Sequence, residues 1–165
     1  MPTPPDDFAG FYRAHFQRLA VQLYAYLGDH AEAQDLAQEA FCRAVQRWDA
    51  VSRYGDPSAW VRRVAWNLAT SRLRHARVAL RHLRGQREQV TQGPGPDRVA
   101  LVRALATLPP NQRRSVVLHH LAHLSVAEIA AHDGVPEGTV RSWLTRGRAA
   151  LAVYFSEPDR EAHRA

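Results

Sequence analysis

Apolar residues recur at steps of three and four through almost the whole chain and nowhere alternate with period two. A helix can bury such a pattern on one side; a strand cannot. Phe8, Phe11, Tyr12, His15, Phe16, Leu19, Ala20, Leu23 and Leu27 predict one long amphipathic helix over residues 7–27, stopped by Gly28-Asp29. Asp29 is placed to cap a second helix, with Glu32 three residues on. Its expected buried stripe is Ala33, Leu36, Ala37, Ala40, Phe41, Ala44, Val45 and Trp48. A loop with Gly55-Asp56-Pro57 leads to a third helix over residues 58–75, whose expected inward residues are Val61, Val64, Ala65 and Leu68. The fold class is therefore all-α.

Residues 85–97, GQREQVTQGPGPD, lack an apolar stripe and are rich in Gly, Pro and Gln, which predicts a flexible linker. It separates a first helical domain, residues 1–84, from a second, residues 98–155, with a polar tail over 156–165. The second domain should open with a helix over 98–107, stop at Pro109-Pro110, and run a further helix to about Ala122.

The stretch LSVAEIAAHDGVPEGTVRSWLTRGRAAL, residues 124–151, then reads as two short helices joined by a tight turn. Ser125 and Glu128 have capping-box spacing, Asp133-Gly134 supplies the reversal, and Pro136 suits the first turn of the next helix. Val140, Leu144, Gly147 and Leu151 form the packing stripe. Ser142, Thr145, Arg146 and Ala149 fall opposite, with Arg141 and Arg148 on one flank. Asp133 and Glu137 are the only acids between Ala130 and Phe155. A helix-turn-helix with a positive second helix fits the DNA major groove, where arginine bonds two acceptors of guanine.

Charge agrees with this reading. All 22 basic residues are arginine, against 16 acidic ones, for a net charge of +6. From Pro57 to Arg87 there is no Asp or Glu, yet Arg62, Arg63, Arg72, Arg74, Arg77, Arg81, Arg84 and Arg87 all occur, the footprint of a polyanion partner. Cys42 is the single cysteine, so neither an internal disulfide nor a Cys-rich zinc site is expected, and nothing near it in sequence activates the thiol. His119 and His123 sit four apart, but no carboxylate or cysteine is placed to complete a metal site, and a solvated histidine cluster is expected. No ATP-binding loop, catalytic triad or paired-carboxylate site is present, so no cofactor and no small-molecule substrate is expected. Without a signal-peptide start or a membrane-length apolar run, a cytoplasmic location is expected.

Three segments together carry a family resemblance. Asp35-Leu36-Ala37-Gln38-Glu39-Ala40-Phe41, Ala59-Trp60-Val61-Arg62-Arg63-Val64-Ala65-Trp66-Asn67-Leu68-Ala69, and Leu108-Pro109-Pro110 through Leu151 are similar, in order and spacing, to segments of bacterial sigma factors of the extracytoplasmic-function group. The resemblance implies a region 2 helical bundle and a region 4 helix-turn-helix bundle. It implies core RNA polymerase as a partner, through the β′ clamp helices and the β flap, together with promoter DNA and an anti-sigma factor. Asp35, Gln38, Glu39 and Cys42 would then face the clamp helices. Trp60, Arg63, Trp66, Asn67, Thr70 and Arg74 would read and open the −10 element, with the loop Val51 through Pro57 forming part of a pocket for an extruded base. Trp60 is left open between core and surface, whereas Trp66 is expected to be exposed. Thr139, Arg141, Ser142, Trp143, Arg146 and Arg148 would face the −35 element. Trp143 and Gly147 depart from common family residues: Trp143 lies close enough to the packing stripe to pack instead of reading bases, and Gly147 permits a closer helix contact. A helix-turn-helix regulator that never touches polymerase, and a serine recombinase, are the alternatives. The second needs an early nucleophilic serine in an α/β domain, and the first serine here is Ser52.

Overall fold

The computed structural model describes residues 6–82 and 95–157, which contain eight helices and no strand. They fall into two compact units, Met1–Pro94 and Gly95–Ala165. The first holds α1 (Asp6–Leu27), α2 (His30–Gln46), the single-turn α3 (Trp48–Val51) and α4 (Pro57–His82). The second holds α5 (Pro96–Ala106), α6 (Pro110–His120), α7 (Val126–Asp133) and α8 (Glu137–Ser156).

In the first unit α1 packs along α2, and α4 packs on both. Gly28, at φ 76°, ends α1 in the left-handed region open to glycine. Asp29 caps α2 as expected, its Oδ1 accepting the Glu32 N–H at 3.0 Å. Ala33, Ala37, Ala40 and Ala44 are wholly buried, so small side chains let α2 approach its neighbours closely. Two expectations about this helix change. Val45 is only half-buried, and the backbone breaks at Arg47, so Trp48 begins α3 instead of ending α2. Trp48 is still core: its ring lies 5.1 Å from Phe8 and 5.0 Å from Phe11, and its Nε1 donates to Asp7 Oδ2 at 2.8 Å.

α4 shows the largest departure. It runs seven residues past the expected end at His75. Its buried side chains are Val61, Ala65, Trp66, Ala69 and Leu73, while Val64 and Leu68 are half-buried. Trp66, expected on the surface, is 0 % exposed, with its ring 5.0 Å from Tyr26. The reason is geometric: a stripe stepping by four residues swings about 40° around the helix at each step. The stripe from Val61 through Ala65 and Ala69 to Leu73 thus rotates toward Trp66, and the small alanines leave room for its indole.

In the second unit, α5 begins at Pro96 with Gly95 as its cap, so the last residues of the expected linker are already ordered helix start. The rest of that linker from 85 to 94, the expected domain end at 84, and the tail beyond Glu157 lie outside the described residues. Arg113 is buried, and its guanidinium donates to the carbonyls of Ala106 and Leu108, both at 3.1 Å, closing the end of α5. α6 is tied to α7 by the shielded pair of Arg114 with Asp133 at 2.8 Å.

The expected capping box is present: the Glu128 N–H donates to Ser125 Oγ at 3.1 Å and the Ser125 N–H to Glu128 Oε2 at 2.7 Å. Gly134 makes the reversal at φ 67°. Pro136 sits one residue before α8, at its N-cap, not inside its first turn. Val140, Leu144 and Gly147 are buried and Leu151 half-buried, matching the expected stripe. Gly147 is there because nothing larger fits: a Cβ would stand 2.9 Å from Val116 Cγ2 on α6.

Two outcomes follow. Trp66→Ala should destabilise the first unit by about 3–5 kcal/mol, seen in urea unfolding, because it empties a filled core site. Gly147→Ala should give a net loss of about 1 kcal/mol, since overpacking against the stiff valine exceeds the gain in helix propensity, and adding Val116→Ala should remove that overlap.

Candidate nucleic-acid interface

α4 is positioned for two jobs by its two sides. Asp56, just before it, accepts from Ser58 Oγ at 2.6 Å and from the Ala59 N–H at 3.2 Å, and Pro57 opens the helix. The Ser58 hydrogen bond above all, helped by the Ala59 N–H and the charge of Arg62, holds the Asp56 carboxyl below its ordinary range against an opposing loss of solvation. Opposite the core, Trp60, Arg63, Asn67, Thr70 and Arg74 fall within an arc of about 80° at the helical angle. Arg63, Asn67 and Arg74 are exposed; Trp60 and Thr70 are half-buried. The Thr70 hydroxyl donates to the Trp66 carbonyl at 2.8 Å, which leaves it acceptor capacity only. Trp66 does not belong to this face. Arg72, on the other side, is held by Glu32 at 2.9 Å.

The turn before α4 adds residues that apolar spacing did not single out. Ser52, Arg53, Tyr54, Gly55 and Asp56 are all exposed, and Tyr54 presents half its surface to solvent. An exposed aromatic ring beside an arginine offers a flat stacking surface.

On α2, Asp35, Gln38 and Glu39 are exposed, as the helical angle predicts, whereas Cys42, in the middle of the same arc, is half-buried with the Gln38 side chain against it. Gln38 is held at both ends: its Oε1 accepts from Tyr12 at 2.9 Å and its Nε2 reaches Cys42 Sγ at 3.8 Å. Burial, then the neighbouring Cys42, pushes the Tyr12 phenol above its ordinary pKa. Glu39 pairs with Arg43 at 2.8 Å, while Asp35 has no polar partner among the described residues. Tyr12 was invisible as a site residue because its aromatic spacing reads as core.

On α8, Arg141, Ser142, Thr145, Arg146 and Arg148 are exposed, whereas Thr139 and Trp143 are half-buried. Arg141 pairs with Glu137 at 2.8 Å, and Arg148 Nε donates to His120 Nε2 at 3.2 Å. Desolvation, then Arg148 and His119, hold His120 below the ordinary histidine pKa and so favour the neutral acceptor. Ser142, Thr145 and Arg146 have no polar partner among the described residues. α6 ends at His120, which puts His123 in the connection to α7 at φ 58°. His119 Nδ1 donates to the Leu124 carbonyl at 2.8 Å.

Residues 11–79 match the family model for Sigma-70 region 2, and residues 98–151 that for Sigma-70, region 4. The ECF RNA polymerase sigma factor SigC of Mycobacterium tuberculosis is 36% identical over 141 residues, covering 82% of this chain and 76% of its own. The chain belongs to the sigma-70 family, in its extracytoplasmic-function group. ECF sigma factor SigW of Bacillus subtilis is 31% identical over 163 residues, covering 88% of this chain and 87% of its own. The fold is shared with the sigma factor RpoE of Bartonella quintana, solved with the anti-sigma factor NepR. That structure has a TM-score of 0.80 at 22% identity and covers 94% of this chain and 100% of its own. As a sigma factor the chain joins core RNA polymerase as a regulatory subunit and directs promoter-specific transcription. Among the described residues no helix is long and apolar enough to cross a membrane.

Asp56→Ala should cost about 1 kcal/mol in urea unfolding, through loss of the α4 cap. Because the folded-state carboxyl is shifted downward, this difference should be full at pH values above the ordinary aspartate pKa, about 3.9. It should close as pH falls through the lowered folded value.

Proposed function

We propose that this sigma factor opens and reads the −10 element with one face of α4 and the turn before it. Trp60 and Tyr54 offer rings for unpaired bases, Asn67 reads a base edge, and Arg63 and Arg74 hold the phosphates around them. Thr70 lends an acceptor, and Trp66 serves from behind by fixing the helix. The observation that carries this reading is the division of α4 into a side buried at Val61, Ala65, Trp66, Ala69 and Leu73 and an exposed side free of acids.

The α2 face of Asp35, Gln38, Glu39 and Cys42 docks on the β′ clamp helices, its acidic and amide groups suiting a basic partner. α8 lies in the major groove of the −35 element, with Arg146, Ser142, Arg141 and Arg148 as contacts, Thr139 near a phosphate, and Trp143 bracing the flank. The β flap holds the second unit, residues 98–155, and residues 1–84 act as the region 2 unit. Relatives of this fold solved with anti-sigma factors support an inhibitor that covers these faces until a signal releases it. The factor works in the cytoplasm, where polymerase and promoter are.

Three measurements test these assignments. Asp35→Ala and Gln38→Ala should each weaken core polymerase affinity; wild-type affinity in both would remove the clamp assignment. Asn67→Ala and Arg63→Ala should lose permanganate reactivity at the −10 element, and normal opening in both would remove the α4 face. Arg146→Ala should lose about 1–3 kcal/mol of discrimination between −35 sequences, read by competition binding; unchanged preference would contradict it.

A further inference from the structure

Tyr12 of α1 and Gln38 of α2 meet across 26 residues of chain, the phenol donating to the amide Oε1 at 2.9 Å. The ring that carries this hydroxyl is held by the core. It stacks on Phe16 with centres 4.8 Å and planes 25° apart, and it stands edge-on to Phe41 at 5.1 Å. Phe41 is buried and packs in turn against Phe8, Phe11 and Phe16. A tyrosine turns about only two side-chain torsions. With both set by ring packing, the hydroxyl has one place to stand.

Gln38 is the contrary case. It is exposed on α2, and a glutamine loses more rotamer freedom on being fixed than most side chains do. Here the amide is gripped on both sides. Tyr12 occupies one lone pair of Oε1, and Nε2 faces Cys42 Sγ at 3.8 Å. A thiol sulfur can accept only weakly, which turns the N–H side of the amide toward it and the carbonyl toward the phenol. The second N–H and the second lone pair of the amide are left for a ligand. Loss of solvation, then Cys42, raises the Tyr12 pKa, so the phenol keeps its donor through neutral pH.

The carboxylates of the same face have no such tie to the core. Glu39 pairs with Arg43 on its own helix at 2.8 Å, and Asp35 has no polar partner among the described residues. Resting on the reading of this face as the polymerase-docking surface, we propose that Tyr12 is a positioning residue for docking, its hydroxyl fixing the Gln38 amide in its bound orientation before polymerase arrives. The hydroxyl adds affinity through Gln38, by removing the cost of ordering that side chain at the interface. The aromatic core of the first unit thereby sets the geometry of one group on its outer surface.

The test measures affinity of the full chain for core RNA polymerase in a cycle of wild type, Tyr12→Phe, Gln38→Ala and the double variant. Phenylalanine keeps the ring and removes only the hydroxyl. Tyr12→Phe should weaken affinity about fivefold, the factor for ordering one such side chain on binding. In the Gln38→Ala background the same substitution should change nothing, because the amide it acts on is gone. In the free chain, NMR relaxation of the Gln38 side-chain amide should show a restrained group in wild type and a mobile one in Tyr12→Phe. A bundle loosened by the substitution would lose the same affinity with or without Gln38, and that result would overturn the proposal. So would an amide equally mobile in both chains. Where Gln38→Ala weakens binding and Tyr12→Phe does not, the positioning role falls while the docking surface stands. Wild-type affinity in both Asp35→Ala and Gln38→Ala removes the docking surface, and the role of Tyr12 with it.

Discussion

The contact of Trp66 with Tyr26, ring centres 5.0 Å apart inside the first unit, fixes how α4 is turned about its own axis. A helix is a cylinder on which every outward residue is set by the inward ones, so this one buried indole decides which arginines face out. With Trp66 inside, the exposed arc contains Arg63, Asn67 and Arg74. A rotation of about 100°, one residue's worth, would bring other side chains to that surface. The alanines at 65 and 69 and the small residues along α2 make the burial possible by allowing close approach.

The second unit solves the same problem with other means. Its thin core cannot hold α8 by area alone. Reciprocal capping of α7, the left-handed Gly134, the Arg114–Asp133 pair and the close approach of Gly147 to Val116 set the turn and the depth of α8. Once they do, Ser142, Thr145 and Arg146 have no side to occupy but the outer one. Arg141 and Arg148 keep internal partners, Glu137 and His120, which hold their guanidinium groups in place on the flank before any ligand arrives.

Much of this was legible in the residues. Caps at Asp29 and Ser125, the stops at Gly28 and Gly134, and the Val140–Leu144–Gly147 stripe are local signals, each needing only its near neighbours. The exposed polar face of α2 followed from the same helical arithmetic. Trp66 was misplaced because helical spacing gives the phase of a stripe only near where it is anchored, and the stripe drifts when its residues step by four. The break at Arg47 and the extra turns of α4 beyond His75 were hidden because neither Gly nor Pro marks them. Tyr12 was missed because it sits in an aromatic run that reads as core, whereas Tyr54 lies in the Val51–Pro57 loop, which the family resemblance pointed to and apolar spacing did not.

The central claim is that these two helical units confer promoter choice on a polymerase that lacks it. Run-off transcription with purified core RNA polymerase tests it most directly, on chromosomal promoter fragments of the source organism. Addition of the chain should produce discrete transcripts from a subset of start sites, absent with core enzyme alone. Transcription that is the same with and without the chain would contradict the account.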